Sequence, residues 1–304
     1  MNSGYIDRFV STGPVLKAES DGDNRDVNVT GEDYVIWNWK GGGEPTTDNT
    51  ESAGATPTAG SVKIDGSNLG SALAGTIAAT RLSANTTSGF SIVSYTGTGS
   101  LATVAHGLSE APKLVIVKRL GGAAISWGVG AEATGIDFTD YLRRDSYTGV
   151  ADSDIIWNDT APTASVFSVG SGAATNASGA TWRFEAYHAV EGFSAFGSYL
   201  GNNNVDGSFC YTGFRPKWIM IKGTSGTTGW SIVDTARESF NPSWKETPIA
   251  NNTHVEDQSG SFYKDFLSNG FKIRCSSCSF FNYSGRHYVW AAFAEYPFKY
   301  TNAH

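Results

Sequence analysis

Methionine occurs only twice and cysteine three times in the 304 residues. No apolar run approaches the ~18 residues of a membrane-spanning helix, and the N-terminus lacks the basic-then-apolar order of a secretory signal. Membrane insertion is therefore not expected. Cys210, Cys275 and Cys278 are too few, and odd in number, to staple a fold. That predicts a folded state independent of disulfides, formed in a reducing compartment. Charged residues are 17% of the chain, against about 25% in an average globular protein. The net charge is −7, and lysine and arginine form no dense tract. A nucleic-acid partner wants a basic field, so that class is excluded from the expectations. Sustained three-to-four-residue apolar periodicity is also scarce, which argues against a helical fold.

Glycine, by contrast, is abundant at 36, beside 9 Trp, 13 Tyr and 17 Phe. Gly, Ser, Thr and Asn turns between aromatic and β-branched runs are the composition of an all-β protein. The pattern is duplicated. SYTGTGSLATVAHGLSEAPKLVIVKR, residues 94–119, is answered by SYLGNNNVDGSFCYTGFRPKWIMIKG, residues 198–223. Ser94, Tyr95, Gly97, Pro112, Lys113 and Lys118 recur as Ser198, Tyr199, Gly201, Pro216, Lys217 and Lys222, always 104 residues on. Farther along, residues 182–187 are answered by residues 288–293 at an offset of 106, so the two added residues fall in a loop.

Five segments follow. Residues 1–45 read as the tail of an incomplete repeat or an attachment arm, with a strand at 34–40 that sets Trp37 and Trp39 on one face. Residues 46–88 read as a linker or extended arm, 89–192 as the first full repeat, 193–298 as the second and 299–304 as a C-terminal tail. Six to eight short strands in each repeat predict tandem antiparallel β-sandwiches, concanavalin-like or jelly-roll-like. In residues 181–187, Trp182, Phe184 and Ala186 point one way and Arg183, Glu185 and Tyr187 the other.

Candidate chemistry is thin. Cys275 and Cys278 have CxxC spacing, but a structural zinc site needs four ligands and the first repeat has no such pair, so a loop or local disulfide outweighs a metal. Acids at Glu185, Glu295, Asp234, Glu238, Asp152 and Asp154 do not fall into the paired arrangement a glycosidase needs. No GxSxG elbow occurs, and His106, His188, His254 and His287 form no pattern with a nucleophile. No enzymatic activity, cofactor or metal is expected. Trp127, Trp157, Trp230 and Trp244 exceed what two small cores must hold; they are candidate interface or glycan-stacking aromatics, with interface or core packing the stronger reading. Asn176-Ala-Ser and Asn282-Tyr-Ser fit the glycosylation rule but read as equivalent tight turns.

The segments SANTTSGFSIVSYTGTGS (83–100), HGLSEAPKLVIVKR (106–119), VEGFSAFGSYLGN (190–202), YTGFRPKWIMIK (211–222) and DFLSNGFKIR (265–274) resemble a repeat domain of tailed, especially marine, bacteriophages. YVIWNWKGGG (34–43) looks like the end of a preceding repeat. The resemblance implies a virion structural protein, a fibre, spike or other appendage, with no catalytic residues to carry over. It also implies assembly in the host cytoplasm, other virion proteins as partners and a homo-oligomer, a trimer by preference. The alternatives are a receptor-binding, lectin-like module for host surface glycans and, behind it, a polysaccharide depolymerase.

Overall fold

The computed structural model describes residues 5–10, 13–17, 34–237, 241, 249–251, 263–276 and 278–294. Residues 1–38 form one unit, in which β1 (Tyr5–Val10) pairs antiparallel with β2 (Gly13–Lys17). Residues 39–304 form the other.

In the larger unit the chain first lays down β3 (Val62–Ile64), β4 (Ser67–Asn68), β5 (Ala79–Asn85), β6 (Phe90–Thr96) and β7 (Ala102–Ala105). Then come β8 (Leu114–Leu120), β9 (Gly128–Ala131), β10 (Asp140–Arg143), β11 (Ala151–Asp152) and a single helical turn, α1 (Asp154–Trp157). β12 (Val166–Val169) and β13 (Thr181–Tyr187) complete the first repeat. The second contains β14 (Ser194–Leu200), β15 (Phe209–Tyr211), β16 (Trp218–Gly223), β17 (Ser231–Asp234), β18 (Lys264–Leu267), β19 (Gly270–Ile273) and β20 (His287–Phe293).

The fold is all-β, and among the described residues the ladders are antiparallel except for the parallel pair β3–β5. Repeat 1 has a sheet in the order β11-β10-β9-β8-β13-β6-β5-β3-β4 and a second sheet β12-β7. Repeat 2 has β14-β20-β16-β17 and β15-β19-β18. Its run β17-β16-β20-β14 repeats β9-β8-β13-β6 strand for strand. In each repeat the two sheets share one apolar core. Phe167 of β12 meets Phe184 of β13 at 4.2 Å between ring centroids, and Phe271 of β19 meets Trp290 of β20 at 5.3 Å. The alternation read in residues 181–187 sorts as expected: Trp182, Phe184 and Ala186 enter the core, while Arg183 and Glu185 face away.

The recurring signature residues build one polar hub, twice. The Tyr95 hydroxyl donates to the Thr175 carbonyl, and the Tyr199 hydroxyl donates to the Phe281 carbonyl at 2.7 Å. Asn176, fully buried, accepts from Thr98 N at 2.8 Å and donates Nδ2 to the carbonyls of Ser100 (2.6 Å) and Gly170 (3.0 Å). Asn282, also fully buried, accepts from Asn202 N at 2.9 Å and donates to the carbonyls of Cys275 (2.7 Å) and Asn204 (2.8 Å). Gly97 and Gly201 lie so close to the Ala177 and Tyr283 carbonyls that a Cβ at either would collide with backbone. Buried polar groups must find partners, and one asparagine here satisfies three backbone groups that no ladder reaches. The two sequons are therefore structural joints and not exposed turns.

Two other expectations change. Residues 34–40 join no ladder. The Trp39 ring is held instead by Trp218 and Phe293, each 5.4 Å away, and by Tyr187 at 6.2 Å. The stretch 46–88, expected as a linker or arm, contributes β3, β4 and β5 to the first sheet, with Val62, Leu82 and Ala84 in its core. Its glycine- and threonine-rich start runs along that sheet: Thr46 N donates to the Gly60 carbonyl (2.8 Å), Asn49 N to the Thr80 carbonyl (2.9 Å) and Gly42 N to Ser83 Oγ (2.9 Å). Lack of apolar periodicity signals irregular backbone, but side-chain and turn hydrogen bonds hold such backbone in place as well as a ladder does.

Candidate functional site

The two repeats meet at a seam built from the outer faces of β16 and β20. In β13 burial alternates, whereas every residue of β16 and all but the first of β20 are buried. Ile219, Ile221, Tyr288, Trp290 and Ala292 enter the second core. Trp218, Met220, Val289, Ala291 and Phe293 lie on the opposite face and are covered from outside that core. Repeat 1 supplies the cover. Tyr187 lies 5.8 Å from Phe293 and 6.5 Å from Phe196. The cavity left between Leu114 and Ala131 on one side and Phe196, Met220, Val289 and Ala291 on the other is only about 20 Å³, room for roughly one water.

The loop after β10 closes the seam with directed bonds. Trp230 Nε1 donates to the Arg143 carbonyl at 2.8 Å, and Thr228 N to the Tyr147 carbonyl at 3.0 Å. Val150 N donates to the Thr224 carbonyl at 2.7 Å. Lys222, 0% exposed, donates Nζ to the Ser146 carbonyl at 3.3 Å and to the Thr228 carbonyl, and lies 5.9 Å from the Trp230 ring centroid. Burial, then the nearby Arg286 charge, pulls its ammonium down to about 8. Gly149 is required here, because a Cβ would press into the Thr224 carbonyl.

Repeat 1 has the same lysine–tryptophan pair in the same place. Lys118 Nζ lies 5.0 Å from the Trp127 ring and donates to the Ile125 carbonyl at 3.4 Å. There the pair is half-exposed.

The remaining candidates sort by burial. Trp157 is 0% exposed and packs on Phe138 and Phe167, so it is a core residue and no stacking platform. Trp230, 2% exposed, belongs to the seam for the same reason. Trp127 is half-buried, and Trp244 lies outside the described residues. Cys275 and Cys278 are joined as a disulfide with Cα atoms 6.0 Å apart, buried in the second core. Cys210 is a free thiol in the same core, and burial pushes its pKa well up. Asp234 is buried and ion-paired with Arg237 at 2.6 Å. Glu185 pairs with Arg183 at 3.6 Å, while Glu238, Glu295 and His254 lie outside the described residues. His106 is buried in a turn, its Nδ1 accepting from Leu108 N at 3.1 Å and its Nε2 3.1 Å from the Thr163 carbonyl; burial lowers its pKa to about 4. Thr212 fills the corresponding turn of repeat 2, accepting from Phe214 N. His188 contacts the carbonyls of Ala189 and Thr86. Among the described residues no three His, Cys, Asp or Glu side chains are grouped to hold a metal ion, and no helix is long and apolar enough to cross a membrane.

Sequence reasoning missed the 143–150 loop altogether; its only signal was the polar, irregular stretch that breaks repeat 1 after Trp127. It also missed a cleft of about 240 Å³ bordered by Tyr141, Arg143, Thr148 and Val150, where Arg143 Nη2 donates to the Tyr141 hydroxyl at 3.0 Å. No curated protein and no solved structure matches the chain. A family model described as a domain of unknown function, DUF7483, matches residues 1–297, and the chain belongs to that family.

Proposed function

We propose that the chain is a structural protein of a bacteriophage particle, a component of a fibre, spike or other surface appendage. The observation that carries the reading is the seam. One repeat closes the outer sheet face of the next through aromatic packing and at least four directed hydrogen bonds. Such a joint makes a stiff array of β units, which is what an exposed appendage needs, and it leaves little of the buried aromatic surface for a ligand. The phage-like segments quoted above support the same assignment. On this reading each repeat is a two-sheet sandwich of concanavalin-like or jelly-roll type, the partners are other virion proteins and further copies of the chain, the oligomer is a trimer, and assembly takes place in the host cytoplasm. The protein is not an enzyme.

A second reading, a receptor-binding module for host surface glycans, draws on the cleft at Tyr141 and Arg143, which joins an aromatic face to a hydrogen-bonding guanidinium. A depolymerase would need two carboxyl groups about 5–9 Å apart across a cleft, and nothing beyond scattered acids speaks for it.

The test is immuno-electron microscopy of intact particles with antibody against the purified chain. Labelling at one fixed position on the particle is the expected result. Unlabelled particles would remove the virion assignment. Label at the distal tail, followed by glycan-array binding that is lost in Tyr141→Ala, would move the second reading to first place.

A further inference from the structure

The two asparagine hubs are anchored at matching backbone points but fastened in different ways. In repeat 1 the Gly170 carbonyl accepts from Asn176 Nδ2 at 3.0 Å, and the Gly172 carbonyl accepts from Thr175 N at 3.2 Å and Asn176 N at 2.9 Å. In repeat 2 the Cys275 carbonyl accepts from Asn282 Nδ2 at 2.7 Å, and the Cys278 carbonyl accepts from Phe281 N at 3.2 Å and Asn282 N at 2.8 Å. The turn in repeat 1 is fastened to α1. Gly170 N donates to the Ile156 carbonyl at 2.9 Å, Gly172 N to the Ile155 carbonyl at 2.8 Å and Thr175 Oγ1 to the Ile156 carbonyl at 3.0 Å. That contact needs both glycines, because a Cβ at either would collide with the Ile155 backbone. Cysteine has a Cβ, so a helical turn seated as α1 is cannot hold Cys275 and Cys278. A disulfide joins these two anchor residues instead.

We propose that Cys275 and Cys278 are a redox-controlled lock on the hub of repeat 2, doing with a covalent bond what α1 does for repeat 1. Oxidation joins the two Sγ atoms, and their two electrons and two protons pass to a small-molecule disulfide, which is cleaved to two thiols. Reduction by a dithiol reverses the step: each sulfur regains a proton and the reagent leaves as a disulfide. Tyr199, Phe271, Phe281, Tyr288 and Trp290 belong to the same core and hold the repeat together in either state. The chain thus folds as a dithiol in a reducing compartment, and repeat 2 stiffens on transfer to an oxidising one. Both cysteines are nearly inaccessible, at 2% and 4% exposed, so exchange goes through local opening and the lock is slow to release once set. The clamp of repeat 1 has no redox chemistry. The inference stands whether or not the protein belongs to a virion.

The experiment uses the full chain, kept under dithiol from synthesis onward and then divided, one half being treated with a small-molecule disulfide. Alkylation in denaturant is expected to find three thiols in the reduced half and one, Cys210, in the oxidised half. Amide hydrogen exchange then reads the two hubs. Exchange at Phe281 and Asn282 should be faster by roughly tenfold or more in the reduced half, while exchange at Thr175 and Asn176 stays the same. A Cys275→Ala/Cys278→Ala variant should exchange like the reduced protein whichever reagent is present. Three alkylated thiols in the oxidised half overturn the proposal, and so does equal protection of Phe281 and Asn282 in the two halves. Loss of protection across both repeats on reduction also overturns it, because the bond would then hold the whole fold and not one hub.

Discussion

β13 and β20 occupy the same place in two copies of one fold, yet they solve different problems. β13 is a half-buried strand: its core face carries Trp182, Phe184 and Ala186, and its other face carries Arg183 and Glu185. At the corresponding positions β20 has Tyr288, Trp290 and Ala292 on its core face, but Val289 and Ala291 on the other. Apolar side chains have replaced a charged pair where a neighbouring repeat excludes water. Strand alternation thus reports how many faces are covered, and the loss of alternation marks the strand with an outside neighbour.

The largest break in this comparison should come from placing a charge on each outer face. Met220→Lys buries an unpaired ammonium in the seam and should cost roughly 3–5 kcal/mol. Ile92→Lys, on the half-exposed face, should cost less than about 1 kcal/mol. Chemical denaturation of the two variants measures the difference, and equal losses would mean that the seam does not close in solution. Next is the pair of buried asparagines. Asn176→Ala and Asn282→Ala each strand buried backbone groups and should lose similar amounts, about 1–3 kcal/mol; a cost confined to one repeat would separate hubs that the coordinates make equivalent.

A smaller effect is expected from Trp230→Phe, which removes the donor to the Arg143 carbonyl and should cost about 1 kcal/mol. Trp127→Phe, whose indole meets no such carbonyl among the described residues, should be close to neutral. Smallest near neutrality is a pH effect that only repeat 1 has. His106 stays neutral in the folded chain down to about 4 and protonates near 6.5 when unfolded. The unfolded chain therefore takes up more protons across that window, and stability falls with falling pH. Between pH 7 and 6 the loss from this group is about 0.7 kcal/mol, and it should vanish in His106→Thr, which installs the residue found in repeat 2. Lys222 gives the matching signature on the alkaline side. Its folded ammonium loses its proton near 8, so stability should rise from pH 8 toward 10 in the wild type and stay flat in Lys222→Met.

Much of the fold was legible in the sequence. The fixed 104-residue offset located equivalent strands, and the alternation in residues 181–187 separated core from outer face correctly. What could not be read was anything decided by a distant neighbour. Trp157 and Trp230 look like surplus aromatics when counted along the chain; Trp157 is buried because Phe138 and Phe167 from separate elements fold onto it, and Trp230 because the loop at Arg143 in the other repeat closes over it. The strand expected at 34–40 failed for a related reason, since a period of two shows which residues share a side but not whether a partner strand exists. The asparagine hub lay in plain view as a repeated Asn-x-Ser-Gly, and the missing information was that its side chain turns inward to backbone groups left over from the ladders.

That hub also has a practical consequence for production of the protein. Asn176 and Asn282 are acceptor sequences for N-linked oligosaccharide, and the transferring enzyme of a secretory pathway meets them before the chain has folded. Each side chain must end up fully buried with its amide nitrogen donating to carbonyls. A glycosylated amide could not be accommodated there. Passage through a eukaryotic secretory route should therefore yield a glycosylated, non-native fraction, whereas synthesis in a bacterial cytosol, or with both serines two residues on replaced by alanine, avoids that competition.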